Sequence, residues 1–296
     1  MSKKVKIVSL DSSIGAGTGG VDLGPSAVRY AGLENTLEGL GLDFKDIGSL
    51  KPTSHYRLKT PSEQIIALSK ELQKEVSDII KEESFPLVLG GDHSSIIGTT
   101  MGMVEHKKIG IIWFDAHGDA NTFETSISQN IHGMSMAILL GHGNNEFNEY
   151  TKDLNLSPQN IALIGARSFD EGELEFLESQ GVNVYTAEFI KENGMDYTVK
   201  AALEAINNDI DGVHISFDLD SLDPMYAPGG GLRVDGGLTP SEITRAFKLV
   251  SESVDILSAE FSEINPLMDL ENKTAILTVD LIKELLKVSI KSEAKI

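Results

Sequence analysis

Cysteine is absent from the 296-residue chain, so neither a disulfide framework nor a thiolate metal site is open to it. Long apolar runs are absent too. None approaches the roughly 18–20 residues of a membrane span, and no membrane partner is expected. The opening stretch, MSKKVKIVSLD, passes from a basic start straight into a strand-like run. It has no long apolar core and no small-residue cleavage site, so it does not read as a signal peptide, and a cytoplasmic location is the expectation. Positive charge is scarce: 25 Lys and Arg stand against 45 Asp and Glu, a net charge of −20. Such a surface suits nucleic acid badly, because Lys and Arg must displace the counterions of the phosphates. The same acidity can concentrate a small cationic ligand or merely keep the protein in solution, and composition does not choose. Linkers, low-complexity tracts and fixed-period repeats are missing as well, and residues 1–296 are expected to form one domain.

What is present is an alternation. Strand-like runs fall at Val5–Leu10, Pro86–Leu89, Ile109–Phe114, Ile161–Ile164, Val182–Tyr185, Val213–Phe217 and Ile256–Phe261. Helix-like stretches fall between them at Ser62–Glu82, Glu171–Gln180, Tyr197–Asn207 and Pro240–Val250, with a last apolar-faced helix over 274–288. TPSEQ and TPSEI place Thr, Pro and Ser at two helix starts, and DLGPSAVRYAGL reads as a turn into a short helix. The strand–helix alternation predicts a parallel α/β architecture, and the short apolar run Ile109–Phe114 reads as a strand buried on both faces, as in a parallel sheet. The longest irregular stretches, 115–131 and 218–239, each follow a strand. Ligands of open parallel sheets bind outside the carboxyl ends of strands.

Three strand ends carry unusual residues. PLVLGGDHSS leads into Asp92-His93. IIWFDAHGDAN leads into Asp115, His117 and Asp119, two positions apart. VHISFDLDSLDP ends in Asp218 and Asp220. If the chain stays extended past Phe114, then Asp115, His117 and Asp119 point the same way. Each motif alone has a plain reading: an Asp–His hydrogen bond, a solvated loop, a helix cap. Together they collect four carboxylates and two imidazoles at equivalent ends of buried strands, where charge is rarely buried unless paired or metal-bound. Six donors exceed the four of a tetrahedral zinc site. They suit two divalent ions bridged by carboxylates, and the oxygen-rich set favours manganese or magnesium. Gly90 and Gly91 let the backbone before His93 come close.

These residues carry a resemblance. GGDHS, WFDAHGDAN, NIHGM, SFDLDSLDP, APGGG and EINP occur in the order and spacing of the ureohydrolases, and most closely resemble the arginase family. GVDLGPSAVRYAGL near the start is similar as well. The resemblance implies a three-layer α/β/α sandwich with a mainly parallel central sheet and a catalytic domain with two Mn2+ per subunit. It also implies hydrolysis of L-arginine to L-ornithine and urea, and a homo-trimer or homo-hexamer. Carried over residue by residue, it assigns His93, Asp115, Asp119 and Asp218 to one ion and Asp115, His117, Asp218 and Asp220 to the other. His132 matches the family's proton-shuttle histidine and Glu263 its guanidinium-binding acid. Asn121, Ser128 and Asn130 match the positions that hold the α-carboxylate, and Asp170 and Glu173 those near the α-amino group.

The residues depart from the pattern at three places. Leu232-Arg233 stands where Thr-Pro is usual, which removes a hydroxyl and adds a cation that would repel a guanidinium if it pointed inward. The glycine-rich segment SSIGAGTGGVD lacks the usual Gln-x-Arg. Gln129 replaces a glycine. The alternatives are another ureohydrolase, acting on agmatine, a guanidino acid or formiminoglutamate, and a non-catalytic metal-binding protein of this fold.

Overall fold

The computed structural model describes residues 4–53, 59–206 and 209–290. Eight strands form one parallel sheet: β1 (Val5–Leu10), β2 (Phe44–Leu50), β3 (Phe85–Gly90), β4 (Ile109–Phe114), β5 (Ile161–Ile164), β6 (Asn183–Tyr185), β7 (Gly212–Asp218) and β8 (Ile256–Ser262), in the order β2-β1-β3-β8-β7-β4-β5-β6. Period-two alternation turns the side chains of each central strand toward the two faces of the sheet in turn. Ile112 and Phe114 of β4 join the core on one face, with Val213, Ile215 and Phe217 of β7. Ile111 and Trp113 join the other.

Helices cover both faces, which makes the three layers expected from the sequence. On the first face lie α1 (Gly24–Tyr30), α2 (Leu33–Gly39), α8 (Ala187–Asn193), α9 (Met195–Ala205), α10 (Pro240–Ser253) and α11 (Lys273–Ser289). On the second lie α3 (Pro61–Lys81), α4 (Ser95–Val104), α5 (Ser135–Leu139), α6 (Asn145–Thr151) and α7 (Glu173–Gln180). The two TPSE segments are complete capping boxes: Thr60 pairs with Glu63 and Thr239 with Glu242, with Pro in the first turn. Among the described residues no helix is long and apolar enough to cross a membrane.

The expected elements are present within a few residues, except that Asn207 lies outside the described residues. Those that the sequence pattern does not announce are β2 and the helices α2, α4, α5, α6 and α8. β2, FKDIGSL, is an edge strand with a largely solvated pattern, unlike its fully buried neighbour β1. α4, SIIGTTMGMV, is buried on nearly every side and therefore shows no amphipathic period. Gly98 and Gly102 bring it against α3: an added Cβ would meet Ser69 O at 2.7 Å and Gln73 O at 2.6 Å.

Candidate metal centre and substrate pocket

Four adjacent central strands, β3, β8, β7 and β4, end on one side of the sheet. Their carboxyl ends deliver His93, Glu263, Asp218 with Asp220, and Asp115. The ligand candidates fall into two groups whose donor atoms lie within 4.8 Å of one another: His93, Asp115 and Asp218, and Asp115, His117 and Asp220. Asp115 belongs to both.

Asp119 joins the first group by a route other than the expected one. The chain does not continue extended past Phe114. Asp115 N–H still makes a ladder bond to Ile164 O, but the chain bends at Ala116 and His117, and Asp119 adopts a left-handed φ of 50°. The turn separates neighbours that an extended chain would align: His117 Nδ1 goes to Asp220 Oδ2 at 3.1 Å, while Asp119 Oδ2 goes to His93 Nδ1 at 2.9 Å. The three side chains therefore line two halves of one cluster rather than one edge.

The cluster has the character of a cation site. His93 Nδ1 faces three carboxylate oxygens at once, from Asp115 at 3.0 Å, Asp119 at 2.9 Å and Asp218 at 3.3 Å. One imidazole nitrogen has at most one proton to share among them. Asp119 Oδ2 is buried yet aligned with no hydrogen-bond donor, a costly state that a cation would relieve. The electrostatics agree. Burial opposes charge on His93, but its contacts to Asp115, Asp119 and Asp218 hold its pKa well above the usual imidazole value. His117, also against burial, is pushed up to about 12 by Asp115 and Asp220. Burial and the Asp115 charge raise Asp119 to about 7, and burial with Asp220 and Asp115 raises Asp218 well above the carboxylate range. The raised imidazoles hold protons as cations and the raised acids shed negative charge, so the cluster takes up protons to offset its crowded carboxylates, as it would a metal cation. The donor set is rich in oxygen, with no sulfur, which fits hard divalent ions.

Second-layer contacts fix the ligands. His93 Nε2 lies 2.8 Å from Ser216 Oγ, Trp113 Nε1 donates to Asp115 Oδ2 at 3.0 Å, and Asp115 Oδ1 accepts from His117 N–H at 2.7 Å. Such partners orient metal ligands and set their tautomers. Sequence reading missed Ser216 and Trp113, although both were accessible to it: Ser216 lies two residues before Asp218, and Trp113 two before Asp115. Arg167 was missed too. Its guanidinium donates to the carbonyls of Asp220, Ser221, Leu222 and Val234, which fastens the loop that carries Asp220.

Above the cluster opens a cavity of about 360 Å³, lined by His117, Asp119, Asp218 and Asp220 below, His132 and Glu263 on one wall, and Asn121, Ser128, Asn130, Asp170 and Glu173 farther out. Glu263 Oε1 lies 2.9 Å from His132 Nδ1 and accepts from His93 N–H at 2.9 Å. Burial resists charge on His132, but Glu263 foremost, with Asp119 and Asp92, raises it to about 9. Asn121 Nδ2 donates to Asp170 Oδ2 at 2.8 Å, so these two share the outer rim. Glu173 is buried, and both oxygens are engaged by backbone: Oε1 accepts from Ala120 N–H at 2.9 Å and Oε2 from Asp170 N–H at 3.0 Å. It braces the two rim segments.

The departures also have places. Arg233 turns outward and donates to Met268 O at 2.6 Å, so its charge does not face the cavity. Leu232 lines the mouth and is half exposed. Gln129 holds a left-handed φ of 59°, and its amide donates to Phe123 O and Ser126 O, which offsets the strain.

The Arginase family model matches residues 3–287. The chain belongs to the arginase family. It is 41% identical over 293 residues to the arginase of Bacillus subtilis strain 168, covering 97% of this chain and 98% of the relative. The native structure of Bacillus caldovelox arginase superposes with a TM-score of 0.91 at 40% identity, over 96% of this chain and 98% of that one. A hypothetical agmatinase from Burkholderia thailandensis shares the fold alone, with a TM-score of 0.75 at 23% identity, over 97% of this chain and 85% of that one. The family is metal-dependent, and the groups around His93 and His117 are candidate metal sites.

Proposed function

We propose that this arginase-family chain hydrolyses L-arginine to L-ornithine and urea with two Mn2+ ions per subunit. One observation carries the reading: two ligand groups sharing Asp115 lie at the floor of a cavity whose wall pairs His132 with Glu263. The identity to named arginases over nearly the whole chain supports L-arginine over agmatine.

His93, Asp115, Asp119 and Asp218 would hold one ion, and Asp115, His117, Asp218 and Asp220 the other. When bound, such ions supply a hydroxide nucleophile at neutral pH by lowering the pKa of water. The chain's residues do the rest. Glu263 pairs with the guanidinium cation and orients its carbon toward the floor, a charge-assisted contact. His132, held protonated by Glu263, donates a proton to the leaving amine nitrogen. Asn121, Ser128 and Asn130 offer donors to the α-carboxylate, and Asp170 accepts from the α-amino group. Glu173 holds Asn121 and Asp170 in place through their neighbouring backbone. The acidic surface draws the cationic substrate inward. We further infer one catalytic domain over 1–296 that assembles as a homo-trimer or homo-hexamer, which sedimentation measures directly.

The test is product analysis. Protein incubated with manganese should release urea and ornithine from L-arginine in equal amounts, and removing the metal with a chelator should stop it. Manganese-loaded protein that forms no urea from L-arginine overturns the reading.

A further inference from the structure

Asp92 is a buried acid that the proposed reaction does not use. It sits beside His93 just past β3, 2% exposed, yet it belongs to neither ligand group. Its carboxylate is engaged elsewhere. Oδ2 accepts from Gly15 N–H at 2.8 Å, and Oδ1 accepts from Ser94 N–H at 3.0 Å and from the Ser94 hydroxyl.

Gly15 extends the connection. Its carbonyl accepts from His132 N–H at 3.2 Å. His132 Nδ1 meets Glu263 Oε1, and the same oxygen accepts from His93 N–H. His93 is joined to Asp92 by a peptide bond, so the contacts close a ring: Asp92 carboxylate, Gly15 backbone, His132, Glu263 carboxylate, His93 backbone. Two further backbone bonds brace it, Asp92 N–H to Ser12 O at 3.0 Å and Glu263 N–H to Gly91 O at 2.8 Å. The ring admits no bulk at its joints. A Cβ on Gly15 would lie 2.5 Å from Asp92 Oδ1 and 2.9 Å from Ser94 Oγ, and one on Gly91 would lie 2.0 Å from Ser12 O.

His132 begins no strand and no long helix. It lies in a four-residue turn, Ile131–Met134, after an irregular stretch. On its other side Asn121 N–H reaches Gly133 O at 3.1 Å, and Ser135 Oγ reaches the His132 carbonyl at 3.0 Å. A buried carboxylate reaching such a turn through one glycine therefore has a task.

We propose that Asp92 is a positioning residue for His132: it clamps the glycine-rich segment onto the histidine turn and so holds the imidazole at the reacting guanidinium. The inference rests on the proton-donor role of His132 argued above. Asp92 contacts Gly15 and Ser94 and acts through them. General acid catalysis requires the donor within hydrogen-bond reach, and a displacement of about 1 Å can cost about 10²-fold. Asp92→Asn keeps the volume but turns one acceptor into a donor facing Gly15 or Ser94.

The test is a double-mutant cycle on urea release by manganese-loaded protein: wild type, Asp92→Asn, His132→Asn and both. Asp92→Asn alone should lower kcat about 10- to 100-fold, with KM for L-arginine within about twofold and metal content intact. In the His132→Asn background it should cost less than about threefold, because the imidazole it positions is gone. An equal loss in both backgrounds, an unchanged kcat in the single variant, or a loss of metal overturns the proposal. Wild-type kcat in His132→Asn alone overturns the proton-donor reading itself, and is distinguished by that variant. Gly15→Ala perturbs the same joint from the loop side and should behave alike; if Asp92→Asn does not fold, Gly15→Ala decides by the same measurements.

Discussion

The floor and the rim of the cavity are built in different ways. At the floor, the ligand side chains stand at or just past the ends of three central strands, β3, β7 and β4, and Asp115, Asp218 and Asp220 are almost fully buried. At the rim, Asn121, Ser128 and Asn130 ride on an irregular loop, and Ser128 is exposed. The strand ends are positioned by two packed cores, and the loop by a few hydrogen bonds such as Asn121 to Asp170. The contrast places the chemistry in the rigid part of the molecule and the choice of substrate in the adaptable part.

The sharpest break of that contrast should come at the floor. Asp115→Asn or Asp218→Asn removes a charge proposed to serve both ions, so metal analysis should fall from two ions per chain and urea release should vanish. Retention of two ions and of activity would show that the floor is not the metal site. Next in size is the wall. His132→Asn should keep the metal and the fold but lower kcat on the order of 10²–10⁴-fold, the usual worth of general acid–base catalysis; an unchanged kcat at neutral pH would remove His132 from the reaction.

The rim should respond more gently and in a different quantity. Replacing Ser128 and Asn130 together with Ala should leave the metal content alone and reduce kcat/KM for L-arginine about tenfold. That is the low end for hydrogen bonds to a charged group, as fits a solvent-exposed rim. Turnover of agmatine, which has no carboxylate, should hardly change. A loss equal for both compounds would mean that these residues shape the loop rather than read the substrate. The smallest effect is expected at Arg233. Its guanidinium is exposed and bound to the Met268 carbonyl, so Arg233→Ala should alter kcat/KM by no more than about twofold, in line with ordinary surface substitutions. A large gain on L-arginine would mean that Arg233 turns inward in solution and repels the guanidinium.

The same contrast explains what the sequence made legible. Strand ends could be read because β4 is buried on both faces and writes itself as an apolar run that stops at charge, and because β7, also fully buried, carries its apolar residues in alternation up to Asp218. The six ligand candidates followed from that punctuation, and the structure brings them together. The reason given for Asp119 did not hold, because its left-handed backbone is a turn that residue spacing cannot reveal. Edge strand β2 stayed hidden because half of it faces water, and α4 because it is buried on nearly all sides. Asp92 was visible as a letter next to His93 but not as a joint. Its partners Gly15, His132 and Glu263 are far apart in the chain, and only the folded backbone closes the ring. The outward turn of Arg233 was likewise beyond the sequence, since it depends on a carbonyl 35 residues away.

One measurement tests the central claim most directly: urea release from L-arginine and from agmatine, side by side, by the same manganese-loaded protein. A rim that presents donors to a carboxylate should reject the compound lacking it, because those groups are left without their partner. The account predicts a clearly higher kcat/KM for L-arginine. Equal or better turnover of agmatine would contradict it and leave a ureohydrolase of another substrate on the same metal floor.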